Sequence, residues 1–265
     1  MELIPLFIVA TFAAFAVFES IRPGRIFPKV ARWRIQGAFF FVLAMVLTTI
    51  VPPLWDNWLG NYRWIDATGL GTWAGAVYGY LLLELGQYVW HRSLHRSSFL
   101  WRALHQMHHS AERVDIWGSL YFNPLDLLAF SFVYSFMLVV VAGVTPEAAL
   151  AANLFATFCS FFQHSNLRTP VWLGYIIQRP EAHSVHHQRG VHHFNYSDFP
   201  LYDILFGTWR NPARWEGQSG FYDGASARIP EMLIGVDVSS PRTDARDRRP
   251  TELPIRTRSP PSAAA

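Results

Sequence analysis

Hydrophobic and polar positions follow one another in long blocks rather than in short alternations. Apolar runs occupy residues 3–18, 35–54, about 70–90, about 124–143 and about 147–163. Each approaches the roughly 20 residues that a helix needs to cross the hydrocarbon core of a bilayer. The pattern predicts an all-α membrane protein with four to five transmembrane helices forming two hairpins. The mixed, polar stretch from about 164 to 237 is expected to be a cytosolic cap of short helices and turns. The fourth and fifth runs are joined by AGVTPEA, where Thr145 suits an N-cap and Pro146 a first helical turn. A re-entrant version of this last hairpin is the alternative. The first run has no basic leader and no clear small-residue cleavage site, so it is expected to be a retained span.

The charges orient the helices. Arg22, Arg25, Lys29, Arg32 and Arg34 lie between the first two runs and should face the cytoplasm. The 55–69 loop then lies outside, and the end of the third run and the C-terminus lie inside. Trp33 and Trp90 fall at inner boundaries and Trp55, Trp58 and Trp73 at outer ones, as interfacial tryptophans do. The expected location is a membrane such as the bacterial inner membrane.

Composition agrees: 51% of residues are hydrophobic and only 15% charged, against roughly 25% charged in soluble domains. No basic patch is interleaved with aromatics, so no nucleic-acid partner is expected. The single cysteine, Cys159, leaves no intrachain disulfide or cysteine-based metal site and reads as a packing residue. Gly71, Gly75 and Gly79 form a small-residue stripe for close helix packing.

The histidines change the picture from a membrane protein to a site. All 11 lie between residues 91 and 193. They are spaced as His91-x3-His95, His105-x2-His108-His109, a lone His164, His183-x2-His186-His187, and His192-His193. On a helix, positions i, i+3 and i+4 share a face, so each box can present two or three ring nitrogens to a common centre. Neutral imidazole ligates iron, copper, zinc and nickel. Eight or nine imidazoles exceed the needs of one metal and suit two. With the predicted topology all boxes lie on one membrane side, the first two boxes supplying half of the site and His164 with HSVHH the other half. His192 and His193 follow Gly190 without helical phase; lining the site and forming a surface loop both stay open for them. Glu84 lies in an apolar run seven residues before His91. A carboxylate there is costly unless used; it either accepts the second ring N–H of a ligand such as His91 or makes a helix–helix hydrogen bond.

The stretches HRSLH, HQMHH, FFQHSN, HSVHH and NYSDFPLYDILFGTW resemble the fatty acid hydroxylase superfamily, the group of sterol desaturases and sphingolipid hydroxylases, over about residues 75–212. The resemblance implies a membrane-bound non-haem di-iron oxygenase that hydroxylates a C–H bond of a lipid with O2 and external electrons. It makes His91, His95, His105, His108, His109, His164, His183, His186 and His187 the expected ligands of two iron ions. Asn195, of the Asn-Tyr pair, and Glu84 are the candidate catalytic groups. Where many relatives have a histidine before a proline, this chain has Asn123-Pro124, so that position is not counted. No cytochrome b5 domain of the kind fused to some relatives is present. A separate donor (ferredoxin, rubredoxin or cytochrome b5-like, with a reductase) is therefore expected. The implied division is N-terminal helices over 1–69, a catalytic domain over 70–237 and a disordered Pro-, Ser- and Arg-rich tail over 238–265.

A desaturase with the same site is the alternative. A histidine-rich metal transporter is more remote, because transporters place ionisable ligands mid-membrane on broken helices. A zinc hydrolase needs only three protein ligands per metal and a carboxylate base. Zinc would nonetheless replace ferrous iron readily during purification.

Overall fold

The computed structural model describes residues 3–241. The long helices are α1 (Leu3–Ile21), α2 (Trp33–Ile50), α3 (Pro52–Leu59), α4 (Gly71–Arg96), α5 (Pro124–Ser135) and α6 (Pro146–His164). The short helices α7 (Pro180–His186) and α8 (Leu201–Leu205) belong to the cap. No β-strand forms among the described residues; there is an isolated antiparallel bridge between Gln188 and Ser219.

Three segments, Ile4–Ile21, Trp33–Tyr62 and Pro124–Val141, are long and apolar enough to cross a membrane. Helices α1 and α2 leave Leu6, Phe7, Val17, Phe39, Val42 and Val46 exposed, as lipid-facing helices do. The third and fifth apolar runs, α4 and α6, do not meet that measure of apolarity. They carry the polar side chains that build the interior, including Glu84, Gln87 and Gln163, and bury them against each other. Ala76, Tyr80 and Leu83 of α4 pack with Ala148, Ala152, Ala156 and Cys159 of α6. A Cβ on Gly75 would lie 3.1 Å from that of Ala148, and one on Gly79 would lie 2.9 Å from Leu138 Cδ2. Gly75 and Gly79 of the stripe are therefore positions of close approach, to α6 and to Leu138, whereas a Cβ on Gly71 would meet nothing within 4 Å.

The predicted cap at Thr145 forms, and Asn123 caps a second helix. Thr145 Oγ1 accepts from the Ala148 amide at 3.2 Å with Pro146 opening α6. Asn123 Oδ1 accepts from the Leu125 amide at 2.9 Å with Pro124 opening α5. Asn123 is thus a helix cap. Its Nδ2 donates to the Ala103 carbonyl at 3.1 Å, tying α5 to the segment before His105.

The N-terminal helices are sewn to the cap at one end of the molecule. Glu19 Oε2 accepts from the amides of Ile116 and Asn166, both at 3.0 Å. Arg25, read above as one of five orienting charges, sends its guanidinium inward to the carbonyls of Pro180 (2.9 Å) and Ser165 (2.7 Å). Val238, at the start of the predicted tail, is buried with Met107, Tyr121 and Met232. Residues 242–265, the rest of that tail, lie outside the described residues.

Candidate metal centre

The C-terminal ends of α4 and α6 deliver His91, His95 and His164 to one place. Between them the chain reverses through Ser97, whose Oγ accepts from the Leu100 amide at 3.3 Å. It then winds as a π-helical stretch, Trp101–His105, followed by one α-helical turn, Gln106–His109. Such π segments are frequent at functional sites. Gln106 pins the turn: its Nε2 donates to the carbonyls of Arg102 (2.7 Å) and Val236 (2.8 Å), and its Oε1 accepts from the Val238 amide (3.1 Å). Pro180 opens α7, which carries the remaining box.

The structure brings all nine candidate histidines together in two groups able to hold a metal ion. His91, His95, His105, His109 and His186 form the first; His108, His164, His183 and His187 form the second. In each group one ring nitrogen per residue lies within 4.8 Å of the others. The boxes do not divide as expected. HQMHH sends His105 and His109 to the first group and His108 to the second. HSVHH sends His183 and His187 to the second and His186 to the first. The reason is angular. At about 100° per residue, i and i+4 lie some 40° apart, while i+3 falls about 60° to the other side of i. One HxxHH turn therefore straddles two centres, and its middle histidine crosses over.

The outer ring nitrogens fix the tautomers. Nδ1 of His91 donates to the Tyr196 carbonyl, that of His164 to the Ser160 carbonyl and that of His186 to the Phe194 carbonyl, each at 2.7 Å. Nδ1 of His105 meets Asp126 Oδ2 at 2.7 Å, with both side chains buried. A carbonyl or carboxylate only accepts, so Nδ1 carries the proton and Nε2 keeps its lone pair. Nε2 of His91 then faces Nε2 of His105 at 3.0 Å, lone pair to lone pair. Nε2 of His164 faces Nε2 of His183 at 2.9 Å and of His108 at 3.1 Å. Nε2 of His95, His109 and His186 and Nδ1 of His108, His183 and His187 are buried without a hydrogen-bond partner among the described residues. The converging Nε2 atoms repel lone pair to lone pair unless a cation lies among them, so the donor set fits a pair of metal ions, with Nδ1 of His108, His183 and His187 as the outer ring nitrogens.

Burial pushes the ring pKa values of His105, His108, His109, His183, His186 and His187 well below the ordinary 6.5, and neighbouring imidazoles add to the shift. The rings are neutral at pH 7, as ligands must be. The sign of the consequence is definite. Below pH 6.5 the unfolded chain takes up protons that the folded chain refuses, so stability drops as the pH is lowered. Metal-free protein should melt at progressively lower temperature from pH 7.5 to 5.5; a flat profile in thermal unfolding would contradict neutral burial of these rings.

Several candidate residues have other partners. Glu84 does not reach His91; its Oε2 accepts from the amides of Asp198 (2.9 Å) and Phe199 (3.0 Å) and anchors the 196–200 loop on α4. Asn195 does not touch the imidazoles. Its Nδ2 donates to the carbonyls of Ala182 and Arg210, both at 2.8 Å, and its Oδ1 accepts from the Arg210 amide at 2.7 Å. It is a positioning residue. His192, Phe194 and Asn195 have left-handed φ values of 45°, 69° and 51°, which is strained for non-glycine residues. The Asn195 clamp holds that loop where Phe194 and Tyr196 present their carbonyls to His186 and His91. His192 Nδ1 lies 3.1 Å from His109 Nδ1, so it orients a group member, whereas His193 is exposed.

Two carboxylates escaped the sequence reading. Asp126 is the only acidic residue in the fourth apolar run, so the argument applied to Glu84 would have found it. Asp203 gathers the amides of Tyr196 and Ser197 (both 2.9 Å) and the hydroxyl of Thr208 (2.7 Å). It shapes the loop that serves His91.

A cavity of about 440 Å³ opens beneath the site, bounded there by His91, His108, His164 and His183 and floored by Phe122 and Phe130. Phe122 stacks on His108 with 3.9 Å between ring centres.

Comparison with known proteins now places these features. A family model described as fatty acid hydroxylase matches residues 76–208, which contain both histidine groups. The chain belongs to the fatty acid hydroxylase family. It is 32% identical over 136 residues to a very-long-chain aldehyde decarbonylase of Oryza sativa subsp. indica, covering 48% of this chain and 51% of that protein. It is 27% identical over 133 residues to sphinganine C4-monooxygenase 1 of Arabidopsis thaliana, covering 49% and 51%. An ornithine lipid hydroxylase of Rhizobium tropici is 26% identical over 227 residues, covering 78% and 66%. The chain spans about half the length of the first two of these relatives. No solved structure matches. The fatty acid hydroxylase relatives include lipid hydroxylases and monooxygenases, which makes an oxidoreductase site the family context of the two groups.

Proposed function

We propose that this protein is an integral membrane lipid hydroxylase. In this reading His91, His95, His105, His109 and His186 hold one iron ion and His108, His164, His183 and His187 hold a second. The observation that carries the reading is the two groups of converging, unprotonated imidazole nitrogens at the head of a membrane-embedded cavity. When bound, the two ions supply reduction of O2 and oxidation of a C–H bond, with electrons from a separate carrier of the ferredoxin, rubredoxin or cytochrome b5 class.

The chain's own residues do the rest. The carbonyls of Tyr196, Ser160 and Phe194 and the carboxylate of Asp126 hold the ring protons on Nδ1, which keeps Nε2 free for the ions. Phe122 and Phe130 exclude water from the cavity side, and an apolar, dry wall favours a lipid segment over solvent. The cavity places that segment beside His91, His108, His164 and His183, which converts an encounter in the bilayer into an oriented one. Hydroxylation is preferred to desaturation because oxygen insertion is the activity named for the sphinganine and ornithine lipid relatives.

Protein purified from iron-fed cells should contain two metal atoms per chain. Given reductant and isotopically heavy O2, it should add one heavy oxygen atom to a membrane lipid. Unlabelled product, a loss of two hydrogens instead, or turnover by metal-free protein would each overturn this reading.

A further inference from the structure

The cavity continues away from the histidines along α6, past Ser160, Thr157, Leu154 and Asn153, to the elbow between α2 and α3. Asn153 and His164 are eleven residues apart on one helix, which makes the cavity about 16 Å long from one to the other. Its lining includes Met45, Leu127, Leu154 and Phe161, and away from the histidines also Thr49 and Asp56 of the α2–α3 elbow and Asn153 of α6. Pro52 and Asp56 are one turn apart on α3 and both face the cavity.

The far-end groups differ from the other hydroxyls of the wall. Thr48, Ser131 and Thr157 donate to carbonyls of their own helices at 2.8–2.9 Å. Asp56 Oδ1 is shielded from solvent without a hydrogen-bond partner. The side chains of Thr49 and Asn153 make no hydrogen bond among the described residues either. A carboxylate oxygen shielded without a partner on the wall of a lipid-sized cavity is costly. It becomes favourable when a ligand brings a hydrogen-bond donor to it.

We propose that this far end binds a hydroxyl or ammonium group of the substrate. The substrate class is then an elongated amphiphile, anchored by a donor group at Asp56, Thr49 and Asn153. Its oxidised carbon lies at the opposite end of the chain, about 16 Å away. The proposal rests on the reading of the histidine groups as the oxidising site, since it names what occupies the cavity below them. Its test measures binding and therefore stands apart from turnover.

Full-length, iron-loaded protein in detergent is titrated with hexadecan-1-ol, hexadecylamine and hexadecane, each competing against a fluorescent alkyl probe. The alcohol, the amine or both should displace the probe at concentrations roughly tenfold or more below the alkane, as one hydrogen bond to a charged or amide group warrants. A preference for the amine identifies an ammonium anchor and equal binding a hydroxyl anchor. Asp56→Ala combined with Asn153→Ala should erase the advantage while iron content stays at the wild-type level. Asp56→Asn should keep the alcohol and lose any preference for the amine. Equal competition by the alkane in the wild-type protein overturns the proposal without any variant, and so does an unchanged preference in iron-replete Asp56→Ala/Asn153→Ala protein. Failure to oxidise any of these compounds, with the binding preference intact, would count against the oxidase reading instead.

Discussion

Alanine at His108 is expected to empty the metal position formed with His164, His183 and His187 while leaving the other occupied, although His108 sits between His105 and His109 in one box. Alanine at His105 should do the reverse. Bound metal should fall from two atoms per chain toward one in each variant, and hydroxylation should fall by roughly a hundredfold or more, since even outer-shell partners of a metal site are worth 10–100-fold. The decisive measurement is which position is lost. With iron-loaded protein, Mössbauer spectra of the two variants should retain different halves of the wild-type spectrum. His186→Ala should match His105→Ala, because both side chains belong to the first group, and His183→Ala should match His108→Ala. Spectra that pair His105 with His108, and His183 with His186, would mean that each box serves its own metal and that the crossover is wrong.

That crossover marks the boundary of what the sequence could reveal. The spacings showed that the histidines share faces, and the apolar blocks showed that they gather at one end of a helical membrane domain. Helical phase separates the i+3 ring from those at i and i+4, but which centre each side meets depends on how the helices are set against one another in the fold. The partners of Glu84 and Asn195 are hidden in the sequence for a related reason. Both are buried polar groups beside the site in sequence, yet their partners are backbone amides and carbonyls at Asp198, Phe199, Ala182 and Arg210, which only the tertiary fold brings near. Three of the five apolar runs meet the measure of apolarity, because α4 and α6 carry the polar groups of the interior on their inner faces. The donor-hungry end of the cavity is equally illegible in sequence. Its lining comes from the α2–α3 elbow and from α6, more than ninety residues apart in the chain.

Asp126 gives the second large effect, and it separates orientation from ligation. Its carboxylate is fully buried and holds the Nδ1 proton of His105 at 2.7 Å, but it contributes no atom to either histidine group. Asp126→Leu should leave His105 free to rotate or to move its proton to Nε2, the nitrogen that faces His91 at 3.0 Å. Affinity for metal in the first group should drop by about 10–100-fold, the range measured when such outer partners are removed. The second group, whose His164 is held by the Ser160 carbonyl, should be unaffected. Asp126→Asn is the informative companion. Its amide oxygen can still accept from Nδ1, so it should recover most of the affinity that leucine loses, while the anionic contribution to ligand basicity is gone. Titrating metal-free variants with ferrous iron, and reading both sites spectroscopically, distinguishes this from simple loss of packing. A cavity or a misfolded α5 would weaken both groups together and would not be rescued by asparagine. Equal iron affinity in the leucine variant and the wild type would show that the carbonyls of Tyr196 and Phe194 orient the first group without help from Asp126.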